Sequence, residues 1–356
     1  MSITWPRRDE MAEALAPFVV ARLCVAAAYA AAQSAAANSG LDSMWVHVRE
    51  GLVTWDGTFY RTIAVDGYSL GSSGLAADNP IRFFPLYPLA ARALSLFTLG
   101  NASIALVVIA NVAAFFCLVA LRRLVSDTFH DAALARRSMW FLALYPAGAV
   151  MVMAYGESLM LLATLGAFLA VRSRRWPLAA ALVFAAALTR PVGILLAVPM
   201  AIEVWERRAH LRSTRDRVAA VATIGAAPMG TAVYLWAVQR RFGDWRLPID
   251  VQSELRGDPR FPVTRMWDAV RLTLGESQKD GPNLAFAILL IVAIVVMARV
   301  VPRSWTAYTV VTVLVALSST NIDSIGRYGI VAFPVCVAFA HLCSTERRTT
   351  AALSVS

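Results

Sequence analysis

Residues 101–121 read NASIALVVIANVAAFFCLVAL, 21 positions without a charged side chain. A helix of about 20 apolar residues crosses the hydrocarbon core of a bilayer, so this stretch predicts a membrane span. The whole chain shares the bias. Of its 356 residues, 58% are hydrophobic and 16% charged, against about 45–50% and about 25% in soluble domains. Working outward, further spans are expected at about 14–37, 138–153, 157–171, 176–189, 192–204, 218–237, 283–299, 305–320 and 327–343. The fold class expected is an all-α polytopic integral membrane protein with about ten transmembrane helices, one domain over residues 1–356. Two large loops, 38–100 and 238–282, are expected outside the cytoplasm, carrying short interfacial helices.

The net charge of +10 follows from topology. With the N-terminus in the cytoplasm, the inner segments hold 18 arginines against 9 acids and the outer ones 14 basic against 14 acidic residues, with Arg22 inside the first span. This is the positive-inside bias, and nucleic acid is not needed to explain it. Both termini are then cytoplasmic, in a plasma membrane. Arg7 and Arg8 before a long apolar run suit a retained signal anchor better than a cleaved signal peptide. Cys24, Cys117, Cys336 and Cys343 lie in or beside apolar runs without CxxC spacing, and read as small apolar residues. The four histidines form no HxxxH or HxH pair that would build a metal cage. No Gly-rich phosphate loop points to ATP.

Just past the first span, residues 55–68 read WDGTFYRTIAVDGY, echoed by IRFFPLYP at 81–88. These loops place Asp56, Arg61, Asp66 and Arg82 among aromatic rings. Residues 41–53 have the spacing of an interface-lying helix, and Asp78-Asn79-Pro80 makes a turn. The short apolar segments 139–154 and 157–171, and then 176–189 and 192–205, pair as hairpins whose polar junctions hold Glu157 and Arg190. Such junctions resemble broken helices facing a cavity. The loop 238–282 has eight basic and seven acidic residues and reads as an ordinary solvated loop, with 265–274 suited to lie in the interface.

The charges at span ends on the outer side are Asp56, Asp66, Arg82, Glu157, Arg190, Asp323 and Arg327. A carboxylate beside tryptophan at a membrane boundary suits accepting a proton from a hydroxyl, the more so if burial raises its pKa. Guanidiniums at the same depth suit a lipid phosphate, and aromatic faces suit sugar rings and prenyl chains. This set fits sugar transfer from a lipid phosphate to a hydroxyl. It fits a transporter's polar pathway nearly as well.

The run W-D-G-x-x-Y-x-x-I-A-x-x-G-Y is met by Trp55, Asp56, Gly57, Tyr60, Ile63, Ala64, Gly67 and Tyr68. It is followed in order by FFPLYP from Phe83, by Glu157-Ser158, and by Thr189-Arg190 with Gly193. With a weaker match at Arg327, Tyr328 and Pro334, the chain resembles the PIG-V-type GPI mannosyltransferase family and its bacterial relatives. The resemblance implies a GT-C fold and a polyprenyl-phosphate-mannose donor. It also implies an inverting displacement with Asp56 as base, and no metal or other cofactor. Arg190, Arg82 and Arg327, in that order, are the candidates to hold the donor phosphate. Glu157, Trp55, Tyr60 and Asp66 are candidates to orient or bind substrate, with a scaffold role equally open for Asp66. An Ala- and Arg-rich makeup with one lysine, Lys279, against 32 arginines points to a GC-rich bacterial gene, a setting without GPI anchors. The acceptor expected is therefore an envelope lipid, glycan or protein. A different polyprenyl-phosphate sugar donor, a lipid-linked-sugar transporter and an inactive accessory protein all stay open.

Overall fold

The computed structural model describes residues 8–39, 51–70, 79–257, 260–274, 281–319, 322 and 324–343, and among these the regular structure is all helical. In chain order the helices are α1 (Arg8–Ser39), α2 (Asp56–Asp66), α3 (Leu86–Ser95), α4 (Ala102–Phe129), α5 (Ala132–Ala143), α6 (Glu157–Arg172), α7 (Trp176–Thr189) and α8 (Ala197–Arg207). There follow α9 (Thr214–Phe242), α10 (Leu247–Arg256), α11 (Pro262–Leu274), α12 (Gly281–Val300), α13 (Arg303–Leu317), α14 (Ile325–Val331) and α15 (Pro334–Leu342). Short 3-10 turns at Gly51–Val53, Pro80–Arg82, Gly148–Met151, Pro191–Leu196 and Arg208–His210 join some of them.

Four stretches, Arg8–Ala35, Ala102–Phe129, Thr214–Phe242 and Pro282–Val300, are long and apolar enough to cross a membrane; α14 and α15, bent by 83° at their junction, make a fifth if counted as one broken span. The chain is an all-α polytopic membrane protein. The opening run ends where the local chemistry says it should. Asn101 caps α4 by accepting from Ile104 N at 3.1 Å, a left-handed His130 ends it, and Asp131 caps α5 by accepting from Leu134 N at 2.8 Å. Side-chain caps of this kind satisfy N–H groups that have no intrahelical partner.

Other expected spans are shorter or interrupted. In the stretch 138–153, α5 stops at Ala143 and a 3-10 turn takes over. Carbonyls freed by such a break need donors where lipid excludes water. Asn111 of α4 donates to Val152 O at 2.8 Å, while Arg22 of α1 donates to Asn111 Oδ1 at 3.1 Å and to Met151 O at 3.3 Å. Arg22, an isolated charge on reading the sequence, is thus part of the scaffold that leads into Tyr155 and Glu157. The hairpin α6–α7 packs next, with α9 laid along α7 over buried Ala179, Ala186 and Ala187.

α6 is 16 residues long, about 24 Å, and separates two polar layers. At its Arg172 end, Arg122 pairs with Glu13 at 2.7 Å and Glu10 at 3.6 Å, and Arg207 pairs with Glu203. Its Glu157 end carries the candidate site. In the first large loop, Asn79 accepts from Ile81 N at 3.0 Å and caps the 3-10 turn Pro80–Arg82. The expected interfacial helix 41–53 is described only at 51–53, a 3-10 turn, and Asp78 and Asp323 also lie outside the described residues. The second loop holds short helices, as expected, but is not solvated throughout. It forms α10 and α11, each starting with proline in its first turn, and Arg265 is 2% exposed where a solvated loop residue was expected.

Candidate active site

The motif 55–68 folds as the turn into α2. Trp55 stands at its N-cap with φ +50°, a conformation costly for a bulky side chain and found mostly where function requires it. Thr54 O accepts from Gly57 N at 3.0 Å. Asp56 opens the helix, where the N-terminal dipole favours a carboxylate. Tyr60, one turn further and on the same face, is 2% exposed.

The second motif closes around the first. Tyr60 stands edge-on to Phe83 and Tyr87, with ring centres 5.0 and 4.9 Å apart, and Phe59 stacks on Phe83 at 5.0 Å. The Arg82 guanidinium lies over both Phe59 and Phe83, 5.0 and 4.8 Å from their centres. Two stretches separated in sequence thus form one aromatic shelf with a cation on it.

The hairpin supplies the next pair. Glu157 is the first residue of α6 and fully buried. Arg190, in extended conformation where α7 ends, reaches it at 2.6 Å. The turn back depends on Gly193, because a Cβ there would fall 2.5 Å from Ala186 O. Both Glu157 oxygens and Arg190 Nη1 are buried without an aligned hydrogen bond, so charge holds this pair. From α14, Arg327 donates to Asp56 Oδ2 at 2.5 Å and lies 3.8 Å from Glu157 Oε1. Its guanidinium also faces the Tyr155 ring at 5.5 Å.

Five charged side chains from five elements of the chain therefore converge, two carboxylates and three guanidiniums. Their summed charge is positive. Side-chain exposure falls from 20% at Asp56 and 25% at Arg327 to 16% at Arg190 and zero at Glu157, so the cluster runs from a solvent-open rim to a dry floor. Burial alone would raise the Asp56 carboxyl, but the charges of Arg327 and Arg190, the hydrogen bond from Arg327 and the charge of Arg82 outweigh it and hold it below its ordinary value. This reverses the expectation that burial raises it. The Tyr60 hydroxyl is pushed up by burial and stays protonated.

Of the residues singled out in the sequence, the structure gathers Asp56, Tyr60, Arg82, Glu157, Arg190 and Arg327. Trp55 borders the group with its indole 53% exposed. Asp66 is not gathered. It ends α2 ten residues from Asp56, about 15 Å along the axis, and is exposed. The three arginines have different partners. Arg190 is committed to Glu157, and Arg327 is the one that touches Asp56. Sequence reasoning passed over Tyr155, the residue before the Gly156-Glu157 junction.

The fold and the cluster together define a helical membrane protein with a charged, aromatic-lined group of side chains at one end of α6. More particularly, residues 10–209 match the mannosyltransferase (PIG-V) family, and the chain belongs to that family. It is a membrane mannosyltransferase, working on a sugar donor and an acceptor. No curated protein matches the chain. Arg327 lies beyond the matched residues, so its place beside Asp56 comes from the fold alone.

Proposed function

We propose that the protein is a GT-C glycosyltransferase that moves mannose from a polyprenyl-phosphate carrier to a hydroxyl of an envelope lipid, glycan or protein. The observation that carries this reading is the meeting of Asp56 with three guanidiniums beside an aromatic shelf. Asp56 takes the proton of the acceptor hydroxyl, whose oxygen attacks the anomeric carbon. The bond to the lipid phosphate breaks as the new glycosidic bond forms, with inversion, and the phosphate leaves with the electron pair. Phosphate is a good leaving group, so the scheme uses no general acid and no metal ion.

In the cluster Asp56 is tied to Arg327, which weakens it as a base. A donor phosphate entering the cluster takes Arg327 as its own partner, since charge-assisted contacts to phosphate are strong and bidentate. Asp56 then loses the interaction that held its proton affinity down. Arg190, fixed by Glu157, and Arg82, fixed on its aromatic shelf, complete the phosphate site. Trp55 and Tyr60 face the sugar. In this scheme the cluster lies on the extracytoplasmic side of the plasma membrane, both termini are cytoplasmic, and Asp66 serves the scaffold.

Purified protein in detergent, given polyprenyl-phosphate [14C]mannose and a membrane lipid extract, should form a labelled product equally well with EDTA. Carrier movement across vesicles without labelled product would favour a lipid-linked-sugar transporter instead. A cysteine placed near Asp56, in a chain lacking the four native cysteines, should react with an impermeant maleimide in intact cells. Labelling only after permeabilisation would put the cluster on the cytoplasmic side.

A further inference from the structure

The other polar layer holds a cavity, at the opposite end of α6 from the Asp56 cluster. It measures ≈ 150 Å³ and is lined by Arg172, Arg174, Trp176, Arg207, His210 and Leu211. Its chemistry is one-sided. Arg207 is paired with the buried Glu203, which also accepts from Ser304 Oγ at 2.5 Å. Arg172 is oriented by donating Nη2 to the backbone carbonyl of Asp127 at 2.9 Å. Neither Arg172 nor Arg174 has an ion-pair partner among the described residues. Arg174 sits at φ +56° in the turn between α6 and α7, a conformation an arginine rarely adopts. Trp176, 2% exposed, starts α7, and Arg175 at its N-cap makes no side-chain cap hydrogen bond. The positive end of that helix adds to the guanidiniums.

The surroundings give the depth of this cavity. Trp205, two residues before Arg207 on α8, is 67% exposed and carries the Arg208 guanidinium 4.1 Å from its ring centre. Exposed tryptophan with arginine is the pattern of a membrane–water boundary. Basic pockets between helices at such a boundary suit lipid headgroups.

We propose that this cavity is a phosphate-binding site distinct from the Asp56 cluster, filled by the headgroup phosphate of an anionic lipid or by a soluble phosphate. The site is independent of the transfer mechanism. Native mass spectrometry of the full chain in detergent, titrated with phosphatidylglycerol, phosphatidylcholine or inorganic phosphate, tests it. Wild type should retain phosphatidylglycerol, Arg174→Gln should bind it about fivefold more weakly, and adding Arg172→Gln should weaken it about fivefold again. Arg174 is exposed, so its variant keeps the fold, and Arg241→Gln in the last turn of α9 should change nothing. Inorganic phosphate that binds wild type but not the double variant, with the two lipids equal, would assign the soluble source. Unchanged binding of phosphatidylglycerol and phosphate in both cavity variants would overturn the proposal.

Discussion

The dry floor of the cluster can be probed by Glu157→Gln. The side chain keeps its shape and loses its charge, leaving Arg190, 16% exposed, without its partner. Charge centres about 4 Å apart interact by about 4 kcal/mol at an effective dielectric near 20. Removing one member of a buried pair costs about 3–5 kcal/mol, because the other charge stays behind. Arg327, 3.8 Å from the same carboxylate, adds repulsion once the negative charge is gone. Glu157→Gln should therefore destabilise by about 3–5 kcal/mol. Arg190→Gln alone should cost a similar amount. The double variant leaves no orphan charge, so it should cost about 2–3 kcal/mol less than the sum. The assay is reversible unfolding in mixed micelles for all four proteins. Costs that add to within about 0.5 kcal/mol, the behaviour of independent sites, would refute the coupling and the picture of a charge-held floor.

Arg327→Gln removes a charge and a hydrogen bond that hold the Asp56 carboxyl down, leaving burial opposed only by the charges of Arg190 and Arg82, so the carboxyl moves up. A base works when unprotonated, so the acid limb of the kcat/KM profile should move to higher pH in that variant; an unmoved limb would separate Arg327 from Asp56. Arg82→Lys keeps the charge but gives up the planar stack over Phe59 and Phe83, about 0.5–2 kcal/mol. It should raise KM for the lipid donor several-fold with little change in kcat. Asn111→Leu strands the carbonyl of Val152 and one hydrogen bond of Arg22, and thermal unfolding should show a loss of about 1–3 kcal/mol.

The class of fold is legible because lipid leaves a strong signature. Residues 101–121 have no charge, and α4 forms there with a cap at the asparagine that precedes it. Interrupted segments are harder, because what stabilises a break in lipid is a distant donor. Nothing in 138–153 names Asn111 or Arg22 as the donors to its carbonyls. The first two motifs of the site are legible from spacing, since Asp56 and Tyr60 share a helical face. Their junction with Arg327 is 271 residues away and depends on how α14 packs beside α6. Helix periodicity explains the Asp66 outcome too. A turn residue near Gly67 looks close to Asp56 in sequence, but three helical turns carry it away.

The central claim is that Asp56 accepts the acceptor's proton, and Asp56→Asn tests it most directly. The amide keeps the size and the hydrogen-bonding position while removing the base, whose contribution is about 10²–10⁴-fold. Steady-state [14C]mannosyl transfer by purified wild type and Asp56→Asn, matched for thermal stability, should show kcat lower by about that factor with donor binding retained. Transfer by Asp56→Asn at the wild-type rate would contradict the account.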